Sequence, residues 1–400
     1  MKTLLILGAG IYQVPLIKTA QNLGIRTIVA SIPGNYPGFE IADKVCYENT
    51  TDYEKILEVA KSENVDGVVT AGTDVAVITI GKVCDALGLK GLSFEAAELA
   101  TDKLKMKKCY EENNVRTARF REIYFDDADY ADKISALTMP LMFKSVDSSG
   151  SRGIIKVDSP EEFDSAKAIV KDNTRSDYFI VEEYVEGEEF GAQAFIQNGK
   201  LEFILPHGDY VFKGDTGVPI GHFAPYDLDT EVIEDAREQL AAAAKAMKLD
   251  NCAINADFIL KDGKTYVLEL GGRSGATCLA ELVSIYYGID YYEKIIRVAI
   301  GEDVDFSVCR DVDAKGSGTA NASHLLMSDK DGIIKSQTNN NDADPDIVEV
   351  QFDYKPGDEV HKFRVGPHRI GHVITKGESL DDAVVLLNKA MDNIKIEIEG

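Results

Sequence analysis

The chain has 400 residues, 44% of them apolar and 28% charged, which suits a globular protein of two or three domains and excludes a disordered chain. Subtracting 68 acidic from 43 basic side chains leaves a net charge of −25. That argues against nucleic acid or an anionic membrane as partner, and no apolar run approaches the ~20 residues of a membrane span.

Residues 3–7 form an apolar strand that ends at Gly8-Ala9-Gly10, residues 14–23 a helix stopped by Gly24, and residues 25–30 a second strand. A helix at 52–61, a strand at 65–70 and a helix at 75–87 follow. Such alternation with short turns predicts a parallel sheet covered on both faces. Next comes a lysine-rich helix at 101–113. Ser159-Pro160-Glu161-Glu162 has the pattern of a capping box with proline at the first helical position. Two hairpins turn at Asn198-Gly199 and Asp262-Gly263, where both central residues need positive φ. Residues 231–247 form an alanine-rich helix between them. This middle region is α+β on antiparallel sheet. Towards the end, 336–345 is a polar loop, 347–352 and 371–375 are strands, and 379–391 is a helix. The expected domains are 1–95, 96–305 and 306–400, with a glycine-loop subdomain at about 115–185. The six cysteines (Cys46, Cys84, Cys109, Cys252, Cys278, Cys309) form no CxxC pair. A disulfide framework or cysteine zinc site is therefore not expected, and a cytoplasmic location is.

Gly8-Ala9-Gly10 follows a strand and opens a helix, which invites a dinucleotide reading. However, Gln13 stands where a third glycine belongs, and the second strand lacks a terminal acidic residue. A tight strand-to-helix turn is the plainer reading. More informative is Lys144, which an apolar strand delivers to a loop of small residues: Ser148, Ser149, Gly150, Ser151, Arg152 and Gly153. A buried lysine needs a negative partner, and small residues leave backbone N–H groups free to surround phosphate oxygens. A second apolar strand runs into carboxylates at Glu182, Glu183, Glu186, Glu188 and Glu189. In the third element, Asp257 and Glu269 lie on the two arms of the Asp262-Gly263 hairpin, one register step apart. Two close carboxylates repel unless a cation joins them, and oxygen ligands select Mg²⁺. Arg273 follows, placed to neutralise a transferring phosphoryl group. Residues 101–121 hold seven basic residues against three acidic ones; of these Lys103 is the expected phosphate contact and most of the others are expected to be solvated.

Taken in order, these elements resemble the ATP-grasp superfamily of ligases, over roughly residues 1–305 and more loosely beyond. The resemblance implies a Rossmann-like N-terminal domain, an ATP-grasp domain of antiparallel sheets and helices, and a small C-terminal domain. It also implies site residues. Lys103 and Lys144 match the two ATP-phosphate lysines, and Ser148, Ser149, Gly150, Ser151 and Gly153 the phosphate loop. Glu182, Glu183 and Val185 match the adenine hinge and Glu189 the ribose carboxylate. Asp257 and Glu269 match the ligands of Mg²⁺ (or Mn²⁺), and Arg273 the arginine near the acyl phosphate. The family's frequent Glu-x-Asn-Pro-Arg stands here as Glu269-Leu270-Gly271-Gly272-Arg273, without the asparagine that commonly joins a second metal. The run Arg273-Ser274-Gly275-Ala276-Thr277 is closer to amino-acid and dipeptide ligases than to the carboxylases. Members are often homodimers.

The expected activity is therefore ATP-dependent ligation of a small carboxylate to an amine through an acyl phosphate, releasing ADP and phosphate. Catalysis would rest on Arg273 and Lys144. An NAD-dependent oxidoreductase and a non-catalytic ATP-binding regulator are the alternatives. Outer substrate contacts are expected from His207-Gly208-Asp209 and Gly221-His222, read as parts of a long loop. Arg364, His368 and Arg369 form a second cationic cluster.

Overall fold

A computed structural model describes residues 1–148, 150, 152–214 and 217–400. Ser149 and Ser151, expected in the phosphate loop, lie outside the described residues.

The N-terminal segment is a parallel sheet in the order Lys44–Tyr47, Arg26–Ser31, Thr3–Leu7, Gly67–Val69. Every residue of Thr3–Leu7 is buried, which is why that strand reads as an unbroken apolar run. The helices Val14–Asn22, Tyr53–Ser62 and Val77–Leu87 supply the surrounding layers. Asp52 caps the second of these by accepting from Lys55 N at 3.3 Å, and Gly88 ends the third at φ 64°.

A second antiparallel sheet runs Phe120–Tyr124, Tyr178–Glu183, Leu141–Lys144, Ile154–Val157. The helix Phe163–Asp172 packs on it around Phe143, Phe179 and Val170. That helix starts later than the sequence pattern predicts. Pro160–Glu162 is a 3-10 turn with no side-chain cap, and the Ser159 hydroxyl donates to the Glu162 carboxylate at 3.3 Å instead of accepting from the backbone.

The largest sheet has eight strands, in the order Lys264–Gly271, Cys252–Lys261, Glu188–Gln197, Lys200–Val211, Pro219–Ala224, Ala320–Leu326, Gly371–Gly377, Ile347–Phe352. Both expected hairpins are in it. Its last three strands come from the C-terminal region, so the sheet is continuous from the middle of the chain to its end. The helix Thr230–Ala246 covers one part and Leu380–Asp392 another. Ser379 and Asp382 close a capping box at the start of the latter.

Two further expectations fail. Residues 336–339, read as loop, belong to the strand Gly332–Asn339, which pairs with Ile394–Glu399. A strand with one open face tolerates polar residues, and the partner that orders it is distant in sequence. His207, Asp209 and His222, read as loop, stand on the strands Lys200–Val211 and Pro219–Ala224. The first hairpin's return arm simply runs on.

Candidate active site

The helix Lys103–Glu112 begins with Asp102, whose carboxylate accepts from Leu104 N at 2.9 Å and Lys105 N at 3.0 Å. That cap fixes the first turn and aims Lys103 at the hairpin that carries Asp257 and Glu269. Lys103 Nζ lies 3.2 Å from Glu269 and donates to Ser148 O at 2.8 Å. It thereby ties the expected phosphate loop to the expected metal ligand. Glu269, Asp74 and Glu182 hold the Lys103 ammonium above its ordinary pKa against the effect of burial.

Lys107 lies one turn further along the same helix face. It departs from the mostly solvated character expected of this basic run, being 1% exposed. The physical reason is Glu182, also 1% exposed, which lies 3.3 Å from Lys107 and 2.7 Å from Lys144. Lys144 is paired at Cα with Ile180, so Glu182 is its same-face diagonal neighbour on the adjacent strand. The two ammonium groups overcome burial and bring the Glu182 carboxyl down to about 2. Burial, with Lys144 nearby, lowers Lys107 to about 8. The Glu182 side chain is thus committed to lysines, and any adenine contact from this residue must come from its backbone. Glu183 pairs with Arg119 at 2.8 Å and accepts from Thr138 N at 2.9 Å. Glu189 is exposed, on the strand that carries Gly191.

In the glycine loop, Ser145 N donates to Gly153 O and the Ser148 hydroxyl to Arg152 O, at 2.9 and 2.8 Å. Gly153 has φ +65°, and a Cβ there would stand 2.8 Å from Asn173 Cβ and 2.9 Å from Ser145 Oγ. Only glycine fits that turn.

Asp257 and Glu269 are direct cross-strand partners. A bulge between Asp257 and Phe258 absorbs the register step that counting from the turn leaves over. Burial and the carboxylates of Glu269, Asp209 and Glu189 push the Asp257 carboxyl up to about 8. Two hard oxygen donors, side by side and crowded by further negative charge, fit a divalent cation of the Mg²⁺ type.

Arg273 is not a free cation. Its Nε and Nη2 donate to the two oxygens of Asp74, both at 2.8 Å. Asp74 follows the parallel strand Gly67–Val69, at the strand end where open α/β sheets place ligands. That position was the signal that could have found it. An i, i+4 lysine pair was the signal for Lys107. The cationic cluster of the C-terminal region splits. Arg369 is buried against Asp353 at 2.7 Å, 5.5 Å from the centre of the Tyr12 ring. Arg364 is exposed and His368 half-buried. At the glycine turn, Gln13 is buried; its Oε1 accepts from Gly10 N at 2.9 Å and its Nε2 donates to Ala71 O at 2.5 Å. The Gln13 amide takes up the N–H that a dinucleotide pyrophosphate would use.

The ATP-grasp domain family matches residues 137–281, and the family described as L-amino acid ligase C-terminal domain 2 matches residues 324–399. A solved structure of a phosphoribosylglycinamide synthetase, from Anaerococcus prevotii, is 36% identical, with a TM-score of 0.85 over 100% of both chains. The chain belongs to the ATP-grasp family. An L-amino acid ligase from Bacillus licheniformis shares the fold, with a TM-score of 0.78 at 19% identity over 100% of this chain and 99% of that one. Among curated relatives, alanine–anticapsin ligase of Bacillus subtilis (strain 168) is 23% identical over 274 residues, 63% of this chain and 58% of the relative. The chain thus spans less than two thirds of the length of that relative. No helix among the described residues is long and apolar enough to cross a membrane.

Proposed function

We propose that this ATP-grasp protein joins a small carboxylate to an amine, using ATP and releasing ADP and phosphate. The observation that carries the reading is the facing pair Asp257–Glu269 with Lys103 on Glu269 and on the glycine loop. Asp257 and Glu269 would hold Mg²⁺ (or Mn²⁺), whose chemistry is to neutralise charge on the nucleotide phosphates. Lys103 and Lys144 face the same phosphates, and the loop around Gly150 and Gly153 covers them and excludes water. The hinge backbone at Glu182, Glu183 and Val185 takes adenine, and Glu189 the ribose hydroxyls. A carboxylate oxygen of the substrate attacks the γ-phosphorus, and the bond to ADP breaks. The amine nitrogen then attacks the acyl carbon, and phosphate leaves. No nucleophile of the protein is needed; Arg273 steadies the phosphoryl group in flight. An amino-acid-like carboxylate is supported by the names of the L-amino acid ligase structure and the alanine–anticapsin ligase relative. The 36%-identical phosphoribosylglycinamide synthetase favours a second pairing, glycine with a phosphoribosyl amine.

An ADP-release screen over amino acids, singly and in pairs, and over glycine with a phosphoribosyl amine separates the two pairings. With the active carboxylate, hydroxylamine in place of the amine should yield a hydroxamate in step with ADP. AMP and pyrophosphate as stoichiometric products would exclude this mechanism.

A further inference from the structure

His207 and Asp209 are two residues apart on one strand, so their side chains share a face. His222 is the cross-strand partner of Asp209, which brings all three side chains to one side of the sheet. Nδ1 of His207 lies 3.0 Å and Nδ1 of His222 2.6 Å from the same oxygen, Asp209 Oδ1. The three ligand atoms all fall within 4.8 Å of one another. In a tetrahedral site with bonds of 2.0–2.1 Å, neighbouring donors stand about 3.3 Å apart. Seating an ion would open the His207–Asp209 separation by about 0.3 Å and the His222–Asp209 separation by about 0.7 Å, within reach of side-chain rotation.

The surroundings favour a cation. Both imidazoles are buried, at 2% and 3% exposure, while the Asp209 side chain is 32% exposed and opens the group to solvent. Two imidazole nitrogens crowd one carboxylate oxygen. The His207 ring lies over Gly191: a Cβ there would stand 2.2 Å from Cε1 and 2.5 Å from Nε2. Gly191 pairs with His207 on one side and Asp257 on the other, so the ring fills the lane between the cluster and the nucleotide-metal carboxylates. Glu269 and Asp257 add further negative charge along that row.

We propose that His207, Asp209 and His222 bind a divalent transition-metal ion of the Zn²⁺ or Co²⁺ class, separate from the nucleotide Mg²⁺ and independent of the ligase reading. Two imidazole nitrogens and one carboxylate oxygen select such ions over Mg²⁺, which prefers oxygen donors throughout. An ion held through Nδ1 requires each ring to carry its proton on Nε2. Three protein ligands leave a coordination position for water or a substrate atom.

The test is equilibrium dialysis of the full chain against Co²⁺ in millimolar Mg²⁺, with the visible Co²⁺ band as readout. One equivalent should bind with an imidazole-type band and be displaced by Zn²⁺. Affinity should fall at least tenfold in His222→Ala and in the isosteric Asp209→Asn, and hold in Glu269→Gln, with thermal melts confirming folding. No bound Co²⁺ in the wild-type chain overturns the proposal, whatever the variants do. So does binding that is lost in Glu269→Gln and kept in Asp209→Asn, since the ion would then sit on the nucleotide-metal pair.

Discussion

Arg273 and Asp74 grip each other in a fork, Nε to Oδ1 and Nη2 to Oδ2, across 199 residues of chain. The pair fastens the N-terminal segment to the residue that follows the hairpin of Asp257 and Glu269. A nearby bond, Gly72 N to Ser274 O at 3.2 Å, joins the same two segments. Arg273 and, secondarily, Lys103 hold the Asp74 carboxyl below its usual range against the effect of burial. Positioning of Arg273 therefore depends on a residue from a different part of the fold.

Asp74→Asn keeps the side chain's shape, removes its charge and leaves one acceptor for the two guanidinium donors. It should cost about 2 kcal/mol of stability, the scale of hydrogen bonds to charged groups. Turnover should fall at least tenfold, and ATP affinity less. Thermal melting and ADP release measure the two effects; wild-type turnover in this variant would show that Arg273 does not need its partner.

Lys144→Met removes one ammonium and keeps the side chain's apolar bulk. Glu182 retains Lys107 at 3.3 Å, so the chain should still fold. ATP affinity should fall tenfold or more in a direct titration. Unchanged affinity would leave Lys144 as a structural partner of Glu182 alone.

Glu269→Gln keeps the hairpin register and takes one charge from the facing pair. Turnover should drop by a larger factor than ATP affinity, because a metal held by the facing pair would neutralise charge that grows during transfer. Steady-state rates set beside nucleotide titrations give the comparison. Equal losses in both would point to ground-state binding only.

Glu182 carries a pH prediction. Its carboxyl titrates at about 2 in the folded chain against an ordinary 4.5. Above pH 4.5 both states are ionised and the stabilisation is complete. As pH falls from 4.5 towards 2, the unfolded state takes up the proton first and stability declines. Glu182→Gln should be less stable at neutral pH by about 3 kcal/mol or more, since it leaves buried lysines unpaired. Its decline between pH 4.5 and 3 should be shallower. Urea midpoints across that range decide it, and a slope equal to wild type would assign the acid loss to other carboxylates.

Much of this protein is legible in its sequence because the signals are local. The strand Thr3–Leu7 announces itself by an apolar run, the two hairpins by Asn198-Gly199 and Asp262-Gly263, and the C-terminal helix by Ser379 and Asp382. Residue order along the chain likewise carries the resemblance of Lys103, Lys144, Asp257 and Glu269 to the ATP-grasp pattern. What the sequence could not determine are the partners of charges. Lys107 reads as one more solvated lysine until the strand bearing Glu182 is laid beside its helix. Arg273 reads as a free cation until the N-terminal sheet brings Asp74 to it, and His207 and His222 as loop residues until two strands align them on Asp209. A charge can be buried only where an opposite charge meets it, and in these cases the opposite charge, or the strand that aligns it, comes from elsewhere in the chain. Those pairings are properties of the assembled sheets, so only the tertiary structure decided them.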